Sequence, residues 1–404
     1  MNAQPPQGSP PSRRLEESSI RADRNLLTIF GVTLIAVLGV ASIAPALPTI
    51  ARELDVSAQR VGLLITVFTF PGALLAPLFG LLADRFGRKV VLAPALLLFA
   101  VGGVACTLAP DFRWLLIARF VQGIGAAPLG SINVTLIGDL YEGRRRMTAM
   151  GYNASVLSVG TASYPLLGGA LAALAWNAPF LLALASLPVV ASVIWVLRSP
   201  RLVDQADLGS YAADVLRSFR GRLIALVLAS MLTFIMLYGV ILTYLPFLMS
   251  SRFGSSTAMI GAVLSTMSVT TGVMSSQLGR LTLRFGVNWV LMVATMLYLV
   301  SLLGMMLVNS VLSMLLPVAL FGMANGLNIP TLQTLIAGEV RREVRAAVMS
   351  VNATALRLGQ TLGPLVMGWA YLWGGLRAVL ISGAACACLL LIMAATWLKE
   401  PSAS

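Results

Sequence analysis

The sequence predicts an all-α integral membrane protein: twelve transmembrane helices in two six-helix, pseudo-symmetric halves around a central cavity. Three observations carry that prediction. The 404 residues are 58% apolar and 11% charged, with a mean hydropathy of +0.89, far outside the soluble globular range. The apolar residues fall into twelve runs, each of roughly the 20 residues needed to cross about 30 Å of hydrocarbon. The first half also repeats in the second at one constant spacing: Gly80, Leu82, Arg85, Phe86 and Gly87 recur as Gly279, Leu281, Arg284, Phe285 and Gly286.

Taken in order, residues 1–25 are rich in Pro, Ser, Gln and Arg and read as a disordered tail. The apolar run that follows is too long for a signal-peptide core and lacks a convincing small-residue cleavage site, so it is expected to stay as the first helix. Spans are predicted near 26–50, 61–82, 90–109, 113–138, 147–173, 178–197, 222–249, 258–279, 288–308, 311–337, 347–373 and 376–398. The runs 26–50 and 311–337 contain Pro or Gly, which a membrane helix tolerates as a kink. The one sizeable interior break, 198–221, is charged and reads as a cytoplasmic linker between halves 26–197 and 222–398; its 208–220 part can form a short surface helix. Residues 399–404 are a second short tail.

The net charge of +13 would suggest nucleic acid in a soluble protein. Here the bases are spread through short loops with no continuous patch to track phosphates, so no nucleic-acid partner is expected. Segments on the amino-terminal side carry 21 Lys or Arg and those on the opposite side 5, which puts both termini in the cytoplasm of a cell whose plasma membrane, a bacterial inner membrane, holds the protein. The remaining two bases, Arg119 and Arg357, fall inside spans. There is no histidine, which removes metal-histidine chemistry and serine-histidine triads. Cys106, Cys386 and Cys388 lie in apolar runs without redox-pair or zinc spacing and read as core filler. No phosphate-binding glycine loop is present, so ATP drive is unsupported and no cofactor or metal is expected. Asn133, Asn153 and Asn352 match the glycosylation pattern but lie in or at the membrane, so that reading is discarded.

The turn GLLADRFGRK at 80–89 packs an acid, three bases and two glycines between two apolar runs. It must sit at a membrane surface, with Asp84 free to meet the positive end of a neighbouring helix and Arg85, Arg88 and Lys89 facing water. A basic loop that merely fixes topology is the alternative. The repeat continues beyond the turn: Gly62, Leu136, Ile137, Arg146, Met150, Asn153, Ala154, Gly160, Pro165 and Gly169 recur as Gly261, Leu335, Ile336, Arg345, Met349, Asn352, Ala353, Gly359, Pro364 and Gly368. Halves of six spans share orientation and are related by an axis along the membrane normal, with a cavity between them that opens alternately to each side.

These residues resemble the major facilitator superfamily, and within it the twelve-helix drug-proton antiporters. The 80–92 stretch matches that family's loop between helices 2 and 3. Leu38-Gly39 with Pro45 and Pro48 resembles its first-helix pattern, and Arg119, Gln122, Gly123, Gly125, Ala126 and Ala127 its fourth. Gly151, Gly160, Pro165, Gly168 and Gly169 resemble the antiporter motif of helix 5, with Tyr164 where the family usually has Gly. The resemblance implies a secondary transporter that exports small amphipathic drugs or metabolites in exchange for protons by alternating access. A sugar or other metabolite exporter or facilitator is the alternative. It further implies a conformational latch of Gly80, Asp84, Arg85, Gly87, Arg88 and Asp139, in which Asp84 reaches the amino end of helix 11 near 346–347. Leu283 and Val287 replace Asp84 and Arg88 in the second half, so the full latch survives once. The small residues of helix 5 allow close backbone approach and Pro165 bends it, although plain packing would use them equally.

A charge inside the bilayer is a functional hypothesis by default. Arg357 lies about ten residues, roughly 15 Å, into helix 11, at the midplane, and its repeat mate is Ser158; Arg119 lies about 9 Å deep in helix 4 and its mate is Val318. No acid sits deep in a span, and where relatives that export cations often carry one in helix 1 this chain offers Thr28, Thr33 and Ser42. The candidate substrate-binding or coupling residues are Arg357, Gln360, Asn352, Arg119, Gln122, Asn153, Tyr238 and Asn325, with Asn133, Asn328, Gln333, Tyr244 and Phe68 as further polar or aromatic wall. Arg357, with Gln360 on its face at i+3, is expected to recognise an electron-rich or anionic group. A membrane enzyme would need a catalytic pair and a receptor no through-path; the missing His and deep carboxylates count against the first and the repeat against the second, so no enzyme is predicted. The expected partners are a small-molecule substrate, protons and lipid, and the expected working unit is a monomer.

Overall fold

The computed structural model describes residues 23–197, 221–341 and 344–398, and every regular element among them is helical. Ten spans are separate helices: α1 Arg24–Glu53, α2 Ala58–Phe86, α3 Arg88–Thr107, α4 Phe112–Leu140, α5 Gly143–Leu174, α6 Ala178–Trp195, α7 Gly221–Phe253, α8 Thr257–Phe285, α9 Val287–Leu307 and α10 Val311–Glu339. The stretch Arg345–Thr396 is broken at Gly374 (φ −161°, ψ 26°) and Gly375 (φ 62°, ψ −154°) into α11 and α12. Twelve spans therefore stand where the hydropathy pattern predicts them. The predicted linker up to 220, its surface helix, and the tails 1–22 and 399–404 lie outside the described residues.

Most helices overrun the predicted spans at one or both ends, by six residues at the end of α8, because hydropathy marks the hydrocarbon whereas the hydrogen-bond ladder runs on until something stops it; α3 and α6 instead end two residues short. Asp23 caps α1 by accepting from the Asn25 backbone N–H at 2.9 Å, so the helix starts before residue 26. Ser57, Asp111, Ser256 and Ser310 cap the starts of α2, α4, α8 and α10 in the same way. Gly87 (φ 96°) and Gly286 (φ 82°) turn the chain sharply between α2 and α3 and between α8 and α9. That left-handed backbone explains why glycine recurs there in both halves.

The expected kink in 26–50 is present: after Ser42 the chain tightens into a short turn at Ala44–Ala46 around Pro45. By contrast, α10 stays helical through Pro317 and Pro330. An unpredicted irregularity is the widened, i→i+5 stretch Met236–Tyr244 within α7.

Helices α1–α6 pack as one bundle and α7–α12 as another, and they meet mainly along two seams, α2 against α11 and α5 against α8. An apolar hollow of about 590 Å3 between Val101, Val104, Leu108, Trp114, Leu184 and Leu187 lies on the flank of the first bundle, away from both seams.

Candidate functional site

The two seams are closed at the end of the molecule remote from the basic loops. On the α5–α8 seam a Cβ on Gly261 would overlap the Pro165 carbonyl and one on Gly169 the Thr257 carbonyl, while one on Gly168 would overlap the Ser42 carbonyl of α1 within the first bundle. The Thr257 hydroxyl donates to the Gly169 carbonyl at 2.8 Å. On the α2–α11 seam Thr66 donates to the Thr361 carbonyl at 3.1 Å, and the Thr361 hydroxyl donates to that of Thr69 at 3.0 Å. Of the helix 5 motif, Gly168 and Gly169 meet neighbouring backbone, whereas Gly160 meets the side chains of Leu34, Val37 and Tyr164.

Toward the basic end the seams part. A Cβ on Gly80, Gly151 or Gly279 would meet no heavy atom within 4 Å. Ser155 and Ser158 on α5, and Ser275 and Ser276 on α8, are exposed. The opening runs from the basic end to about the level of Gly272, whose Cβ would lie 3.8 Å from the Ser158 Cβ.

Arg357 reaches across from α11 into the first bundle at mid-depth. A Cβ on Gly72 of α2 would lie 2.5 Å from its Nη1 and one on Gly130 of α4 3.1 Å from its Nη2, so the guanidinium occupies space that two glycines leave free. Its backbone is held by the α7–α11 contact, where Gly359 faces Met231 and Gly363 faces Ile235 and Gly239. Among the described residues its guanidinium has no hydrogen-bond or ion-pair partner; its electrostatic neighbour is Tyr238. Tyr238 stacks on Phe234, with centroids 5.9 Å apart and planes 15° apart. Gln360 is half-buried one turn along, and Asn352 is 1% exposed with its Oδ1 unpartnered.

Arg119 has the opposite surroundings. It is fully buried inside the first bundle and donates to the carbonyls of Leu64 at 3.3 Å and Gly39 at 2.9 Å and to Gln122 Oε1 at 2.7 Å. Its guanidinium also lies 4.1 Å from the Phe68 ring centroid. Arg119 and Gln122 therefore tie α1, α2 and α4 together and do not face the opening. Asn153 is in a similar tie: its Oδ1 accepts from Thr33 at 2.6 Å, and Thr33 accepts from Asn133 at 2.9 Å. Asn325 accepts from Tyr298 at 2.6 Å, and Asn328 donates to Thr233 at 2.8 Å. Of the eight candidates, the structure brings Arg357 to Tyr238 and leaves Arg119, Gln122, Asn153 and Asn325 in helix-to-helix bonds. Gly72, Gly130 and Phe234 were not legible as site residues, since their part depends on what crosses from the other bundle.

At the basic end Arg88 pairs with Asp84 and, at 3.1 Å, with Asp139. Asp84 is 51% exposed and has no hydrogen bond or ion pair to α11 among the described residues. The expected reach of Asp84 to helix 11 is thus not made in this form, because the seams have separated there. The Tyr141 hydroxyl donates to Asp23 Oδ2 at 2.8 Å, and burial, reinforced by that bond, pushes it well above the usual tyrosine range.

The sequence profile of the Major Facilitator Superfamily matches residues 29–256 and again 226–404. The chain is 25% identical over 404 residues to the class C tetracycline resistance protein of Escherichia coli, covering 95% of this chain and 100% of that one. It is 24% identical to multidrug resistance protein 2 of Bacillus subtilis (strain 168), over 84% and 88% of the two chains. A match of 33% identity to the bacillibactin exporter of the same organism covers 39% of this chain and 41% of that protein. Among solved structures, a bacterial homologue of the human lysosomal transporter Spinster, in an inward-facing form, superposes with a TM-score of 0.73 at 18% identity over 97% of both chains. The nucleoside transporter NupG superposes at 0.76 and 15% identity, over 95% of this chain and 100% of that one. Two bundles of six helices in a repeated register, joined along two seams that close at one end, are thus accompanied by a profile match from residue 29 onward, and the protein belongs to the Major Facilitator Superfamily as a multi-pass, non-enzymatic membrane transporter.

Proposed function

We propose that the protein exports small amphipathic molecules from the cytoplasm across a bacterial inner membrane by alternating access, in exchange for protons. The observation that carries this reading is the mid-depth opening at the basic end, closed beyond it by the Gly169 and Gly261 contacts. With the basic end cytoplasmic, as the 21-to-5 split of bases suggests, this is the form in which an exporter loads. The likeness to tetracycline and multidrug resistance proteins over most of the chain supports efflux as the direction. Closure at the basic end would bring Asp84 to the start of α11 while the far-end seams release.

A second reading, export driven by membrane potential alone, is favoured by one observation: acids in the described spans stand only at their ends, as Glu53, Asp84, Asp139 and Glu339. Substrate-dependent proton movement in proteoliposomes separates the two. Antiport requires that substrate added to one side draws protons out of the other, which turns alkaline, under a clamped potential. Export that persists without proton movement would leave the potential-driven reading, and absence of any export would end both.

A further inference from the structure

Two arginines lie within the spans, and their surroundings allow one to be read against the other. Arg119 shows how this fold keeps a guanidinium for structural purposes: full burial, two carbonyls, an amide and an aromatic face. Arg357 has none of those bonds among the described residues, although it stands at a depth where an unpaired cation is costly. Its head sits in the gap over Gly72 and Gly130, at the inner limit of the opening, beside the stacked pair Phe234 and Tyr238.

We infer that Arg357, seated over Gly72 and Gly130, is the binding site for the carboxylate of an amphipathic organic anion whose apolar body lies against Phe234 and Tyr238. A guanidinium presents its donors as a planar fork that fits two carboxylate oxygens. With no internal acid or carbonyl competing for that fork, an arriving carboxylate supplies the missing partner. The two glycines belong to one bundle and the arginine to the other, so the seat exists only while α2 and α4 face α11 at this depth. Gln360, one turn from Arg357, is placed to bind a further polar atom of the same ligand. The inference deepens the export reading and rests on it for the direction of travel.

The test uses three probes with one apolar body: pyrenebutyrate, the neutral alcohol pyrenebutanol, and the corresponding trimethylammonium cation. Binding is measured on the full chain in lipid nanodiscs, with empty discs subtracted, and transport separately in proteoliposomes. The native protein should bind pyrenebutyrate about tenfold or more tightly than pyrenebutanol, the range of a charge-assisted hydrogen-bond pair. Arg357→Gln should erase that preference by weakening pyrenebutyrate about tenfold more than pyrenebutanol, while Arg357→Lys should keep part of it. Gly72→Ala keeps every charge but puts a methyl where Nη1 lies, and should weaken pyrenebutyrate several-fold; it also serves if Arg357→Gln does not fold.

A native protein without preference for the carboxylate, or an Arg357→Gln protein that retains it, overturns the inference. Transport of the trimethylammonium probe independent of Arg357 would also overturn it while leaving export intact. Carboxylate binding that depends on Arg357 without any transport would uphold the site and refute export.

Discussion

Arg222 and Glu339 pair at 2.6 Å where α7 begins and α10 ends. The same place in the other bundle is held by Tyr141 donating to Asp23 at 2.8 Å. Positions 23 and 222 are related by the spacing of the internal repeat, so a tie between the first and fourth helices of each half is kept while its chemistry has changed. Both side chains of the ion pair are less than one-third exposed, and its loss should cost about 1 kcal/mol. Arg222→Glu should lower the melting temperature of the purified protein, and adding Glu339→Arg should restore most of it. Failure of the exchange to restore stability would mean that Arg222 works through its contact with the Leu398 carbonyl instead.

The Tyr141 tie has a defined pH window. Its hydroxyl is raised by burial and by its bond to Asp23, so the neutral form belongs to the folded state. The contribution is fully present below about pH 10, the unfolded tyrosine value, and is lost as pH rises through the folded one. Tyr141→Phe should therefore lower the melting temperature by a constant amount between about pH 5 and pH 9. A difference that vanished at neutral pH would show that another group titrates there.

Arg119 and Arg357 should separate in stability measurements. Arg119→Met strands the carbonyls of Leu64 and Gly39 and the Gln122 amide inside the bundle, a loss of about 3 kcal/mol or more. Arg357→Gln breaks no bond of its guanidinium and removes an unpaired charge, so it should leave the unfolding midpoint unchanged or raise it. Equal destabilisation by the two would assign Arg357 to the scaffold.

The far-end seal leaves no room for a methyl at Gly261, which faces the Pro165 carbonyl. Gly261→Ala can be accommodated by opening that seam, so labelling of Thr257→Cys, buried in the same seam, by a membrane-impermeant maleimide from outside should rise severalfold. Gly279→Ala, in open space at the other end, should not change it. Unchanged labelling in Gly261→Ala would mean that the seam is not the outer gate.

Loss of Asp84 should favour the form described here, since its carboxylate pairs with Arg88 in this form but would be needed at α11 when the basic end closes. The effect of an acid at a helix amino end is about 0.3–1 kcal/mol, or roughly two- to fivefold in population. Spin labels at Gly151→Cys and Gly279→Cys, both in open space, should report more of the long distance in Asp84→Asn. An unchanged distribution would remove the latch.

Hydropathy, the register of the repeat and the glycines of the two sharp turns were enough to determine twelve spans, two bundles and the place of the 80–89 turn. These are properties of segments: a membrane helix needs only its own length and apolar surface, and Gly87 and Gly286 only their own backbone angles. The roles of the two arginines were not legible in the same way. The carbonyls that satisfy Arg119 lie 55 and 80 residues away in sequence, while the glycines that make room for Arg357 belong to the other bundle. Which end is open was equally out of reach, since the small residues of α5 and α8 allow close approach along the whole seam and only the packing of the bundles decides where it happens. Tertiary structure thus turned two similar buried charges into a structural tie and an unpaired cation, because a buried charge takes its meaning from the partners that folding brings to it.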